Sequence, residues 1–164
     1  MPVCYVSIGS NINRRQMIHS GLAALKRDFS NLTLSSLYET AAIGFNGDPF
    51  YNLVAGFEST LDVDSLGKQL RQIEFDHGRP LVSKKFSSRS LDLDLILYGD
   101  LILNEDSRRL PHQDIERYAY VLEPLAEIAP DLTHPISQQS YATLWQNFDK
   151  TNLRQTRLEL GSLV

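Results

Sequence analysis

The stretch SRSLDLDLILYGD, residues 88–100, constrains this chain more than any other. Successive side chains of an extended chain point to opposite faces. Leu91, Leu93, Leu95 and Leu97 therefore share one face, and Asp92, Asp94, Ile96 and Tyr98 share the other. Beyond its two acids the segment is apolar on both faces, so it reads as a central strand of a sheet. Like charges side by side cost free energy, and more where water is scarce. At the rise of a strand, the two Cβ atoms lie roughly 6.5–7 Å apart. One reading is a solvated strand face with two ordinary acids. The other is a pair of carboxylates converging on one or two magnesium ions, which prefer oxygen ligands and are held by few carboxylates plus substrate phosphates.

The rest of the chain supplies partners for that strand. Residues 3–8 read as a first strand, followed by a Gly9-Ser10-Asn11 turn. Asn13 is placed to cap a helix to about Phe29, with Met17, Ile18, Leu22 and Leu25 at three- and four-residue spacing. Residues 32–40 and 50–60 read as a second and third strand, joined as a hairpin through a long loop. Asp62 or Asp64 caps a second helix carrying Leu66, Leu70 and Ile73, and His77-Gly78-Arg79-Pro80 ends it. Residues 81–90 are polar, basic and aperiodic, and are expected to form a mobile loop. A short fifth strand at 101–103, one or two helical turns, a helix ended by Pro130, and a last helix at 141–148 follow. From Lys150 the tail is polar and is expected to be frayed or packed against a neighbour. The order β-α-β-β-α-β predicts an α+β, ferredoxin-like core: a mostly antiparallel sheet with helices packed on one face, in a single catalytic domain over 1–164.

Composition excludes several classes. A length of 164 residues suits one domain, and 42% hydrophobic against 22% charged residues is an ordinary globular balance. The chain is expected to be cytoplasmic and not membrane-bound, since no apolar run approaches ~20 residues and its start reads as a strand, not a signal peptide. Cys4 is a lone cysteine in an apolar strand, which suits a buried thiol. A net charge of −4 argues against a general nucleic-acid partner, but leaves room for a phosphate ligand bound by local cations.

Local cations are present. Arg79, Lys84, Lys85 and Arg89 lie along the segment leading into the acidic strand. Arginine offers a planar fork to phosphate oxygens, and a loop of this kind can close over a substrate; a solvated basic loop is the plain alternative. His112 in LPHQD stands beside a proline and gains interest only if the fold brings it near the aspartates. The stretch ETAAIGFNGDPFYN, residues 39–52, exposes backbone polar groups and aromatic faces that suit a flat heterocycle, or else is a hairpin loop whose aromatics are core. No phosphate-loop, dinucleotide-binding, zinc or nucleophile-elbow motif occurs.

Taken in order, YVSIGSN, LYET, FYN, IEFDHGR, SRSLDLDLILYGD, LPH and VLEPLAEIAPDL resemble the 6-hydroxymethyl-7,8-dihydropterin pyrophosphokinase family of folate biosynthesis, over about residues 3–130. The resemblance implies ATP and the pterin as small-molecule substrates, two magnesium ions, and attack of the hydroxymethyl oxygen on the β-phosphorus of ATP with release of AMP. It implies Asp92 and Asp94 as metal-bridging and catalytic residues, with Arg79 and Arg89 as phosphate-facing catalytic arginines. Glu74, Arg89, Leu95 and His112 match the nucleotide side. Thr40, Ala41, Ile43 and Asn52 match pterin-edge contacts, and Phe50 and Tyr120 the two rings that sandwich the pterin. It implies a monomer, with a dimer also allowed. The chain departs from the family pattern at Leu81, at Phe86-Ser87-Ser88 before Arg89, at Gln113, at Tyr118 and at Ala41-Ala42. These departures imply fewer arginine contacts to phosphate, with Lys84, Lys85 or Arg117 as substitutes. They motivate an alternative, a pterin-binding paralogue with weakened or altered ATP use. A regulatory module of ACT type, which shares the element order, is a weaker third reading, and the acid pair and basic loop speak against it.

Overall fold

A computed structural model describes residues 1–80 and 88–161. The elements run β1 (Val3–Ser10), α1 (Arg14–Asp28), β2 (Ser30–Leu34), β3 (Leu37–Thr40), β4 (Phe50–Glu58), α2 (Val63–Asp76) and β5 (Asp92–Tyr98). They continue with β6 (Leu103–Glu105), β7 (Arg108–Leu110), α3 (Asp114–Arg117), α4 (Ala119–Ile128), α5 (Tyr141–Gln146) and β8 (Gln155–Leu158). The main sheet has the order β5-β1-β4-β3-β8, with β2 also beside β4, and every pairing is antiparallel. This is the expected α+β ferredoxin-like order.

The two faces differ in composition and cover. On one face Cys4, Val6 and Ile8 of β1, Leu53, Ala55 and Phe57 of β4, and Leu93 and Leu95 of β5 are buried against α1 and α2. Helix α2 starts where Asp62 accepts the Ser65 N–H at 2.8 Å. Asn13 precedes α1 in a left-handed conformation and makes no side-chain cap bond, contrary to expectation. On the other face Val54, Ile96 and Leu97 are buried with Ile115, Leu122, Leu125 and Tyr141 of the later helices. Helices thus cover both faces, where one was expected: α4, apolar around most of its surface, needs a second burial surface, and the sheet supplies it.

The structure corrects further expectations. Strand β5 is an end strand, paired only with β1. It reads as central because α2 covers one face and the α3–α4 layer the other. A register shift between Tyr5 and Val6 makes Ile96 an extra residue in the β5 ladder. Beyond this bulge the alternation inverts: Leu97 joins Ile96 against the later helices, while Tyr98 turns to the α2 side and donates to Leu61 O at 2.7 Å. The single strand expected at 32–40 is broken into β2 and β3. There Ser35 Oγ accepts the Val54 N–H at 2.9 Å, and Ser36 N–H turns away to the Glu127 carboxylate at 3.0 Å. The expected strand at 101–103 lies further on, as β6 in a hairpin with β7. The tail, expected to be frayed or packed against a neighbour, contributes β8, paired with β3. Residues 81–87, and with them Leu81, Lys84, Lys85 and most of the loop expected to be mobile, lie outside the described residues.

One carboxylate joins three of these elements. Glu127 of α4 accepts from the Ser36 hydroxyl at 2.7 Å, the Tyr38 hydroxyl at 2.7 Å and the Arg157 guanidinium at 2.7 Å, besides the Ser36 N–H. Burial alone would raise its pKa, but these donors bring the carboxyl below its ordinary value. Glu127→Ala leaves the buried Tyr38 hydroxyl and the Ser36 N–H unpaired, and is expected to cost about 2–3 kcal/mol in urea denaturation. A depressed folded pKa gives stability that is present above the unfolded pKa and lost as pH falls through the folded one. The difference between wild type and variant is therefore expected to shrink below the ordinary carboxylate pKa of 4.5.

Candidate active site

The later helices leave half of their face of the sheet open, and that half is polar. Strand register fixes a row across it: Asp92 of β5 opposite Gly9 of β1, Gly9 opposite Asn52 of β4, Asn52 opposite Tyr38 of β3. A neighbouring row sets Asp94 opposite Ser7. Directly opposed residues share a face, so both aspartates and Asn52 look into the same space. That space is a cavity of about 420 Å³. Thr40, Ala41, Ile43, Phe50, Asn52 and Tyr120 line it, as do Arg79, Arg89, Asp92, Asp94 and His112. The fold thus brings eleven sequence-identified positions to one cavity, with the aromatics and Asn52 at the β3–β4 side and the acids and arginines at the β5 side. Glu74 and Leu95 do not line it. They line an adjoining cavity of about 290 Å³ that shares Arg71, Asp94, His112 and Gln113 with the first.

The β3–β4 side is built for a flat, polar-edged ligand. The Asn52 amide donates to Thr40 Oγ1 at 2.7 Å, which fixes its orientation. A Cβ on Gly9 would stand 2.7 Å from the Asn52 Oδ1, so a side chain there would push the amide out of place. Phe50 meets Phe45 edge-on with centroids 6.3 Å apart, and Tyr120 stacks on Tyr118 at 5.1 Å, so each wall ring is backed by a second ring. Burial, reinforced by Asp114, raises the Tyr120 hydroxyl and keeps it protonated.

The β5 side carries the charge. Burial, then Asp92 and then Glu74 and Asp114, hold the Asp94 carboxyl well above its ordinary range. Glu74 of α2 is almost fully buried and accepts the Leu93 N–H at 2.8 Å. Arg79 lies 3.2 Å from one of its oxygens and 3.8 Å from Asp92, and Arg71 lies 3.4 Å from the other oxygen. Burial pushes Glu74 up to about 7; Asp92 adds to that, while the Leu93 N–H, Arg79 and Arg71 act against it. The Asp114 N–H donates to His112 Nδ1 at 3.1 Å, so the neutral ring carries its proton on Nε2. Ordinary sequence signals could have found several residues missed earlier. Ser7 and Gly9 follow from alternation in β1, and Arg71 lies one helical turn before Glu74 on the same face. Arg108 and Arg109, which line the second cavity, had no such signal because the only short strand expected in this region lay at 101–103. Arg108 lies directly on Gly67 of α2, where a side chain would displace its guanidinium.

The fold and cavity define a ferredoxin-like α+β protein with a charged cleft open at one end of its sheet. Comparison with known proteins gives the family. Residues 5–130 match the model of 7,8-dihydro-6-hydroxymethylpterin-pyrophosphokinase. The Haemophilus influenzae protein named 2-amino-4-hydroxy-6-hydroxymethyldihydropteridine pyrophosphokinase is 36% identical over 143 residues, covering 84% of this chain and 88% of its own. The protein of that name from Pseudomonas aeruginosa is 35% identical over 135 residues, covering 80% and 83%. A Pneumocystis carinii folic acid synthesis protein is 34% identical over 145 residues, but those span only 20% of its length. A solved HPPK-DHPS structure in complex with substrates shares the fold with a TM-score of 0.75 at 11% identity, and this chain covers 47% of that longer one. The chain belongs to the 7,8-dihydro-6-hydroxymethylpterin-pyrophosphokinase family.

Gly9→Ala is expected to drive the Asn52 amide off Thr40 and cost about 1–2 kcal/mol, by the loss of that buried hydrogen bond. Urea denaturation measures this, with circular dichroism confirming an unchanged fold.

Proposed function

We propose that this protein transfers the terminal diphosphate of ATP to the hydroxymethyl oxygen of 6-hydroxymethyl-7,8-dihydropterin, releasing AMP, as a step of folate biosynthesis. The carrying observation is the cavity itself, with an amide-and-aromatic half and a carboxylate-and-arginine half on one sheet face. Asn52 and Thr40 hold the pterin edge, and Phe50 and Tyr120 cover its faces. Arg79, Arg89 and His112 receive the phosphates. The adjoining cavity, with Arg71, Arg108 and Arg109, extends the nucleotide side.

The donor set suits magnesium. Among the described residues no three His, Cys, Asp or Glu side chains converge into an all-protein metal cage. Asp92 and Asp94 offer two carboxylates, which fits a hard cation that completes its shell with water and phosphate oxygens. Two repelling carboxylates, one with a strongly raised pKa, form a site that a divalent cation would relieve. Asp92 and Asp94 would hold magnesium, whose chemistry there would be neutralisation of phosphate charge and activation of the incoming hydroxyl. The chain's own work is positioning. Asp92 and Asp94 fix where the phosphates lie, the arginines neutralise equatorial oxygens, and Asn52 aims the pterin so that its hydroxymethyl group points along the row toward Asp92. No strong general base is needed in such a site.

The paralogue with weakened ATP use is not favoured, since Arg71, Arg108 and Arg109 supply cations that the departures elsewhere had removed. Incubation with ATP, magnesium and the dihydropterin, read by nucleotide chromatography, is expected to yield AMP; ADP or no turnover would sink the reading. Asp92→Asn and Asp94→Asn are each expected to lower kcat at least about a hundredfold without unfolding the chain. Protons compete with the cation for Asp94, so the half-saturating magnesium concentration is expected to rise as pH falls. Steady-state rates across a pH series check this.

A further inference from the structure

Asn11 lies in the turn between β1 and α1, and its side chain joins two segments distant in sequence. The amide nitrogen donates to Asp48 O at 3.0 Å and to Ser88 Oγ at 3.2 Å. Oδ1 accepts the Arg89 N–H at 2.7 Å. The backbone answers in the other direction: Asn11 N–H and Ile12 N–H donate to Arg89 O at 3.0 and 3.2 Å. Asn11 is 5% exposed. The next turn grips the same loop again, with Arg14 donating to Pro49 O at 3.1 Å, lying 3.8 Å over the Tyr51 ring and pairing with Glu39 at 2.6 Å.

The two segments held this way are the two flanks of the cavity. Asp48 closes the loop at 41–49, whose Ala41, Ile43 and Phe45 line the aromatic half. Arg89 lines the charged half and stands three residues before Asp92 on β5. Asn11 itself does not line the cavity. A planar amide meets both requirements at once, because it donates from one end and accepts at the other. Aspartate keeps the acceptor and loses the donors, and alanine loses both.

We propose that Asn11 is a positioning residue that ties the pterin-side loop to Arg89 and so sets the two halves of the cavity relative to each other. This rests on the functional reading above. A merely structural asparagine in a tight turn would lower stability without distinguishing the two substrates.

The test compares the full-length wild type with Asn11→Ala and Asn11→Asp, measuring kcat, KM for ATP, KM for the dihydropterin, and thermal stability. Asn11→Asp keeps the acceptor for Arg89 but sets a carboxylate against Asp48 O. It is expected to raise the pterin KM about tenfold while leaving the ATP KM within about twofold. Asn11→Ala is expected to raise both KM values and lower kcat. Wild-type parameters in Asn11→Ala overturn the tether. So does a rise of both KM values by equal factors in Asn11→Asp, the variant that decides the matter if Asn11→Ala does not fold. A wild type that forms no AMP overturns the functional reading and the tether with it, a result distinct from an active wild type with indifferent variants.

Discussion

The site depends on strand register. Asp92, Gly9, Asn52 and Tyr38 stand in one row because β5, β1, β4 and β3 pair in one antiparallel alignment. A slip of one residue in any strand would send its member of the row to the face packed on α1 and α2. That slip is strongly opposed. The opposite face of the same strands carries Val6, Ile8, Leu53, Ala55 and Leu93, all buried against α1 and α2. Burial of the larger of these side chains, at about 1.5–3 kcal/mol each, therefore fixes where two carboxylates and an amide stand on the other side. The apolar face does the folding and the polar face inherits its geometry.

The polar half-face crowds its acids. Burial, Asp92, Glu74 and Asp114 hold the Asp94 carboxyl well above its ordinary range, and Arg79 and Arg71 stand against Glu74, with Arg79 also near Asp92. A cleft with two crowded carboxylates flanked by arginines is matched to a ligand that brings both signs, such as a polyphosphate carried with its cation. The aromatic half asks for something different, a flat ring with a hydrogen-bonding edge. The two halves stand on β5 and on β3–β4, with Gly9 of β1 between them in the same row.

Much of this was legible in the residues. Period-two alternation placed Asp92 and Asp94 together, and helical spacing placed Leu66, Leu70 and Ile73 on the buried face of α2. The motif order pointed to the family and to eleven positions that share the cavity. What stayed hidden was set by tertiary contacts that leave no local pattern. The bulge at Ile96 inverts Leu97 and Tyr98 although the sequence alternates through it. The second helical layer converts an end strand into one apolar on both faces, which the sequence cannot distinguish from a central strand. The break at Ser35-Ser36 needs Glu127, some ninety positions away, to receive the freed N–H. The strand at Gln155–Leu158 is too polar to read as one, because it borders the sheet with most of its surface in water.

The outer edge of β5 shows how the same atoms serve a second purpose. An end strand presents unpaired backbone groups, a template on which another chain can add. Here the Leu93 N–H is taken by the buried Glu74 carboxylate, and the Ile96 carbonyl by the His112 N–H. At the far end of the sheet, β8 closes β3. The Glu74 carboxylate and the His112 N–H, which border the second cavity, thus also occupy two of the edge positions through which another strand would pair.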